Sequence, residues 1–347
     1  MSDIDIRTDG RAGRITLTRP KALNALSYRM CLAVEDAIDA WAHDDAVDLV
    51  ILDAEGEKAF CAGGDIAELY ETGTRGDFAY GQRFWRDEYR MNAKMHEYPK
   101  PVVSFLQGFT MGGGVGLGCH GSHRVVCDTS RIAMPECSIG LVPDVGGSWI
   151  LARAPGHLGE YLGTTGTRMG PADAIRVGFA DHYLPDACWA EVKAELARTG
   201  RTDAVTQAAQ TPAQGKLEAL EPHVAAHFAG DTLGDIVASL RADDSDFAQE
   251  TLAAMARNSP LSMACAIEMQ HRLRDMDAGI REALGLEYRF THRAMEHGDL
   301  LEGIRAAIID KDRNPRWQHT LDAPPMAAAA RMLEPLGERA LTFERED

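Results

Sequence analysis

The sequence predicts an α/β core over residues 1–199 and a helical region over residues 200–320. Two observations carry this reading. Up to about residue 185, short apolar runs alternate with segments of helical periodicity, the pattern of strands covered by helices on both faces. Beyond that point Ala, Leu, Met, Glu and Arg dominate and strand signals become rare.

Each element follows from its local pattern. "IDIRTDGRAGRITLTRP" alternates apolar and polar residues on both sides of a Gly-containing turn and predicts a β-hairpin. "SYRMCLAVEDAIDAWAHD" places Met30, Val34, Ala37, Ile38 and Trp41 on one helical face, with Ser27 positioned as the cap. "VDLVILDA" reads as a buried strand, and a charged helical region follows over 65–97. "PVVSFLQG", "HRVVCD" and "RIAM" read as further strands. Segments 187–199, 203–258 and 261–310 read as helical, with Ser259 or Ser262 starting a helix after the "NSP" break. Residues 321–347, rich in Pro and charge, are expected to form a flexible tail.

Composition narrows the function classes. Hydrophobic residues at 45% and charged residues at 26% suit a soluble globular chain. The formal net charge of −17 disfavours nucleic acid and anionic membrane as partners, because both require a basic surface. An anionic ligand would need local cations or backbone N–H groups. "MSDIDIRTDG" has neither the basic and apolar regions of a signal peptide nor an Arg-rich transit pattern. With seven cysteines, mostly in apolar settings and without a CxxC pair, it points to a cytoplasmic location. "CHGSH" lacks a second ligand half, so no metal site is expected.

Three Gly-rich stretches are candidates for chemistry. "AFCAGGD" (59–65) bends sharply and can bring bare N–H groups close to a ligand. "MGGGVGLGCHG" holds five glycines between Gly112 and Gly118, which demands either close packing or a ligand. It also satisfies GxGxxG at Gly116, Gly118 and Gly121, but that match begins too late in the run for a dinucleotide fingerprint. "PECSIGLVPDVGG" (135–147) carries Glu136 and Asp144. Alone, Glu136 reads as a loop residue and Asp144 as a carboxylate at a helix start. N–H donors from two loops and a carboxylate from a third are together the parts needed for acyl chemistry.

"RPKALNALS", "FCAGGDI", "MGGGVGLG" and "MPECSIGLVPDVGG" resemble, in order and spacing, the motifs of the crotonase (enoyl-CoA hydratase/isomerase) superfamily. "FWRDEYRMNAKMHEYPKP" and "EGIRAAIIDKDRNPRW" resemble its 3-hydroxyisobutyryl-CoA hydrolase branch. The resemblance implies a spiral of β–β–α units followed by a helical C-terminal region that often mediates homo-oligomerisation.

It also implies a set of roles. The N–H groups of Gly64 and Gly113 would form the oxyanion hole. Lys21, Ala22, Leu23 and the backbone at Ala62 would hold coenzyme A, with Arg19 adding positive charge. Glu136 and Asp144 would be the catalytic acids, and Glu88 would contact substrate. Hydratases carry a second Glu where this chain has Gly116, whereas the hydrolase branch lacks that Glu and has Asp at position 144. The implied reaction is hydrolysis of 3-hydroxyisobutyryl-CoA, a step of valine breakdown, with no cofactor beyond the substrate's own CoA. The alternatives are a hydratase or isomerase of the same fold, and a non-catalytic acyl-CoA-binding protein. Cys61, beside the first Gly-rich turn, reads as a packing residue.

Overall fold

The computed structural model describes residues 3–345. β1 (Ile4–Asp9) and β2 (Ala12–Leu17) form the expected antiparallel hairpin, with Asp9 opposite Ala12. α1 (Tyr28–Ala42) starts at Ser27, whose hydroxyl accepts the Met30 N–H, and it buries the whole predicted apolar stripe. Next come β3 (Leu49–Ala54), β4 (Ala59–Cys61), α2 (Ala67–Thr74) and α3 (Phe78–His96). These are followed by β5 (Val102–Phe105), β6 (Phe109–Met111), α4 (Gly113–Gly118), β7 (His123–Val126) and β8 (Arg131–Ala133). A 3-10 turn over Glu136–Ile139 leads to α5 (Gly147–Ala152), α6 (Leu158–Thr165), α7 (Pro171–Arg176), β9 (His182–Tyr183) and α8 (Trp189–Thr199). The rest is helical: α9 (Asp203–Ala208), α10 (Leu217–His227), α11 (Leu233–Arg241), α12 (Asp246–Met255), α13 (Pro260–Asp275), α14 (Ile280–His297), α15 (Leu300–Ile304) and α16 (Met326–Met332).

These elements group into two interleaved units, not into consecutive halves meeting at residue 199. One comprises the chain up to Asp65, Arg90–Ala133 and Arg168–Lys216; the other comprises Ile66–Tyr89, Met134–Thr167 and the chain from Leu217 onward. The division departs from the expected boundary because segments 66–89 and 134–167, early in the sequence, pack with the later helices: α13 lies on α5 and α6, and α15 on α2.

The first unit contains the spiral. Its large sheet has the order β1-β2-β3-β5-β7-β9, parallel from β2 onward, and its small parallel sheet has the order β4-β6-β8. From β3 onward successive strands alternate between the sheets, so each advance from β3 to β5 to β7 is matched by one from β4 to β6 to β8. α8 supplies Trp189, Val192 and Leu196 to a core with Leu49, Ile51, Val103, Phe105 and Val125. The glycines of α4 have a packing reason. A Cβ at Gly114 would lie 2.2 Å from the Cys61 carbonyl oxygen, so α4 sits directly against β4.

In the second unit α13 begins at Ser259, the first of the two predicted caps, whose hydroxyl accepts the Ser262 N–H at 3.1 Å while donating to Asp299 at 2.6 Å. The stretch after residue 321 is not a loose tail throughout. The Ala-rich run 326–332 is a good helix former, and Ala329, Met332 and Leu333 are buried as α16 packs on α13 and α14. Arg293 anchors it by donating to the Met332 carbonyl at 3.0 Å. Among the described residues no helix is long and apolar enough to cross a membrane.

Candidate active site

In the first unit the two stretches expected to hold coenzyme A run side by side. Lys21 and Ala22 lie exposed on a 3-10 turn over Pro20–Ala22. Leu23 and Asn24 follow in left-handed conformation, with φ of 51° and 55°. Asn is tolerant of that region, whereas Leu needs an external hold. The buried Asn24 amide supplies it by donating to the carbonyls of Glu55 and Ala59, both at 2.9 Å. The Leu23 carbonyl then accepts the Ala62 N–H at 3.0 Å. Arg19 is spent on structure: it pairs with Asp65 at 3.1 Å and donates to the Ala25 carbonyl. Lys21 is thus the cation left exposed on this turn.

Gly64 and Gly113 are the residues expected to donate to an oxyanion. A bridge joins Leu26 to Gly64 through Leu26 N–H to Gly63 O and Asp65 N–H to Leu26 O. These bonds straddle Gly64 and leave its own N–H out of the bridge. Gly113 is the first residue of α4, where N–H groups have no intrahelical acceptor. The pairing of β4 with β6, Cys61 opposite Thr110, brings both loops to one end of the small sheet. A Cβ at Gly63 would lie 3.6 Å from the Met111 carbonyl oxygen. Cys61 is buried, with its Sγ 3.5 Å from the Gly63 carbonyl oxygen.

The second unit gathers the acids. Glu136 opens the 3-10 turn after β8 and is 4% exposed; Asp144 is 3% exposed and Glu88, on α3, is also 3% exposed. Their burial is the main cause of raised pKa values. Asp144 is pushed up to about 7 by loss of water, partly offset by the Tyr89 hydroxyl, which donates to its Oδ2 at 2.7 Å. Glu136 and Glu88 are pushed well above the usual carboxylate range, first by burial and then by the negative charge of Asp144. Glu136 Oε2 and Glu88 Oε1 are buried with no hydrogen-bond partner among the described residues. Buried unsatisfied carboxyl oxygens are costly, and they cluster where chemistry requires them.

A fourth acid escapes sequence reasoning. Glu287 on α14 is fully buried. It accepts the Gly146 N–H at 2.9 Å, the Ser148 N–H at 3.2 Å and the Ser148 hydroxyl. Burial and then the Asp144 charge raise its pKa to about 8, against these three donors. Tyr89 and Thr291 also go unforeseen; the Tyr89 hydroxyl lies 3.5 Å from Thr291 Oγ1. A signal for Glu287 exists: it falls on the apolar stripe of α14, four residues after Ala283 and four before Thr291, where a solvated Glu has no place.

The walls around the 3-10 turn are backbone against backbone. A Cβ on Gly140 would lie 2.5 Å from the Asp299 carbonyl oxygen, and one on Gly303 would lie 2.1 Å from the Ile139 carbonyl oxygen.

Known proteins resemble this chain in sequence and in fold. The family model described as enoyl-CoA hydratase/isomerase matches residues 12–330. A protein of Danio rerio named "3-hydroxyisobutyryl-CoA hydrolase, mitochondrial" is 37% identical over 91% of this chain and 85% of its own length. Its namesake in Gallus gallus is 36% identical over 91% of this chain and 84% of its own length. A crystal structure described as an enoyl-CoA hydratase from Rhodobacter sphaeroides superposes with a TM-score of 0.94 at 55% identity, covering 99% of this chain and 100% of that one. One described as a carnitinyl-CoA dehydratase from Mycobacterium thermoresistibile gives 0.94 at 39% identity, covering 100% of both chains. The two relatives named as mitochondrial overturn the expectation of a cytoplasmic location. All seven cysteines are free thiols, but free thiols report a reducing setting and not an address.

Proposed function

Because the chain belongs to the enoyl-CoA hydratase/isomerase family, we propose that it is an acyl-CoA thioester hydrolase that converts 3-hydroxyisobutyryl-CoA to 3-hydroxyisobutyrate and CoA. One observation carries the choice of reaction. Asp144 is buried and electrostatically joined to Glu136, while Gly116, where hydratases keep their second acid, carries no side chain. Adding water across a double bond uses two acid/base groups flanking the water; this chain has lost one of those and placed a carboxylate elsewhere.

The roles follow from the chemistry of each group. The N–H groups of Gly64 and Gly113 stabilise the oxyanion that develops on the thioester carbonyl. Glu136 either attacks that carbonyl, giving an anhydride that water then opens, or activates the water directly. In both routes the C–S bond breaks and the departing CoA thiolate takes up a proton. Asp144 binds the substrate 3-hydroxyl or relays that proton, and Glu88 contacts the acyl group. Lys21, Ala22, Leu23 and Ala62 hold the CoA portion. No cofactor enters the scheme.

A second reading, hydration of an enoyl-CoA, is favoured by the descriptions of the two superposable crystal structures. The two readings separate in one experiment. With 3-hydroxyisobutyryl-CoA the protein should release free thiol, and Glu136→Gln should lose most of that release. With crotonyl-CoA the enoyl absorbance should persist. Rapid loss of that absorbance without thiol release would establish the hydratase instead, and binding of both acyl-CoAs with neither reaction would leave a binding protein.

A further inference from the structure

We propose that Glu287 is a positioning residue that holds Asp144 in place by clamping the turn immediately after it. The inference rests on the role proposed above for Asp144. Asp144 is followed by Val145 at φ 53° and Gly146 at φ 79°, two consecutive left-handed residues. Glycine adopts that region freely, but a β-branched residue does not, and it persists there only when its surroundings impose it.

Glu287 is the imposing group. One of its carboxyl oxygens accepts the Gly146 N–H, and the other accepts the N–H and hydroxyl of Ser148. The grip thus closes on the residues just beyond the strained one. Helix α5 starts at this point, and its N-cap, Gly146, has no side chain to receive the free N–H groups. Glu287, 141 positions further along the chain, does so in its place. From the other side Tyr89 fixes Oδ2 of Asp144 directly. Asp144 is therefore held twice, through its carboxylate by Tyr89 and through its backbone by Glu287. The hydrogen bonds of Glu287 go to the turn, so it positions Asp144 through that turn, while its carboxyl and that of Asp144 also repel each other directly.

Gln at position 287 would preserve shape but offer a single acceptor oxygen. Whichever way the amide faced, its NH2 would meet an N–H of Gly146 or Ser148, and the clamp would open on one side. The left-handed Val145 would then relax and carry Asp144 away from its working position.

The test is steady-state thiol release by the full chain, with Asp144→Asn measured alongside. Glu287→Gln should lower kcat by about 10- to 100-fold, the usual cost of losing a residue that orients a reacting group, with KM changed by less than about threefold. Val145→Gly removes the reason for the clamp, so adding it to Glu287→Gln should restore kcat by about fivefold or more. Ser148→Ala, which keeps the carboxylate and removes one donor, should give a smaller fall in kcat and serves if Glu287→Gln does not fold. Unchanged kcat in Glu287→Gln beside an inactive Asp144→Asn would overturn the clamp and leave the catalytic reading intact, as would a loss that Val145→Gly does not relieve. Full activity in Asp144→Asn would instead overturn the reading on which the clamp depends.

Discussion

Gly114→Ala is the sharpest perturbation of the predicted oxyanion loops. The added Cβ would stand 2.2 Å from the Cys61 carbonyl oxygen, 2.9 Å from its Cβ and 3.0 Å from its carbonyl carbon. An ordinary carbon–oxygen contact needs a little over 3 Å, so helix α4 and strand β4 must separate by about 1 Å. The carbonyl belongs to a strand paired with β6, so the obstruction is backbone and cannot swing aside. Overpacking of this kind costs about 1–3 kcal/mol of stability, which a chain of this size tolerates.

Activity should suffer far more. Gly113, the proposed donor, precedes the substituted residue, and Gly64 lies three residues beyond Cys61. A 1 Å misplacement of reacting groups costs about 10²-fold, and the outright loss of one oxyanion donor costs about 10²–10³-fold. The expected result is kcat for thiol release reduced about 10²–10³-fold, with a cooperative thermal melt retained. Gly170→Ala is the control, because a Cβ there would meet no atom within 4 Å; it should turn over like the parent. Gly114→Ala protein with kcat within about threefold of the parent would refute the assignment of these N–H groups.

Two further outcomes are expected. Tyr89→Phe removes the hydrogen bond that lowers the Asp144 pKa, so that pKa should rise above about 7. If turnover needs Asp144 ionised, the acid limb of the kcat/KM profile between pH 5 and 9 should move to higher pH; a limb that stays put or moves down contradicts this electrostatic account. Arg90→Ala leaves the fully buried Glu35 without its bidentate partner, whose contacts are 2.6 and 2.7 Å. Urea unfolding should show a loss of about 3–5 kcal/mol, and a loss below 1 kcal/mol would argue that Lys94, at 2.9 Å, already suffices.

The sequence was legible where one local pattern decides the outcome. Ser27 and the stripe from Met30 to Trp41 specify α1 without help from any other segment. The family-like motif singled out Glu136 and Asp144 from their neighbours along the chain, and the structure buries both. β4 and β6 are another matter. Each is three residues long, too short for alternation to show, so of the small sheet only β8, within "RIAM", reads as a strand from the sequence. Glu287 lay hidden for a different reason. Its meaning depends on Gly146 and Ser148, 141 and 139 positions away, and no local pattern reports a contact at that separation. The packing of α16 was concealed by its composition: prolines and charges around it suggested a tail, while Ala329, Met332 and Leu333 fill a helix interface.

The close contacts at Gly140 and Gly303 limit what can be transplanted from this protein. "PECSIGLVPDVGG" looks like a portable cassette that could turn a related hydratase into a hydrolase by exchange of thirteen residues. Yet its turn leans on the backbone of residue 299 and on the side-chain-free face of residue 303, and its second acid is followed by a bend gripped from α14. A recipient with any side chain at the position of Gly303, or without an acceptor at that of Glu287, would import both acids and the geometry of neither. The smallest exchangeable part of this protein is therefore a discontinuous one, made of the thirteen residues together with the stretch from Glu287 to Gly303.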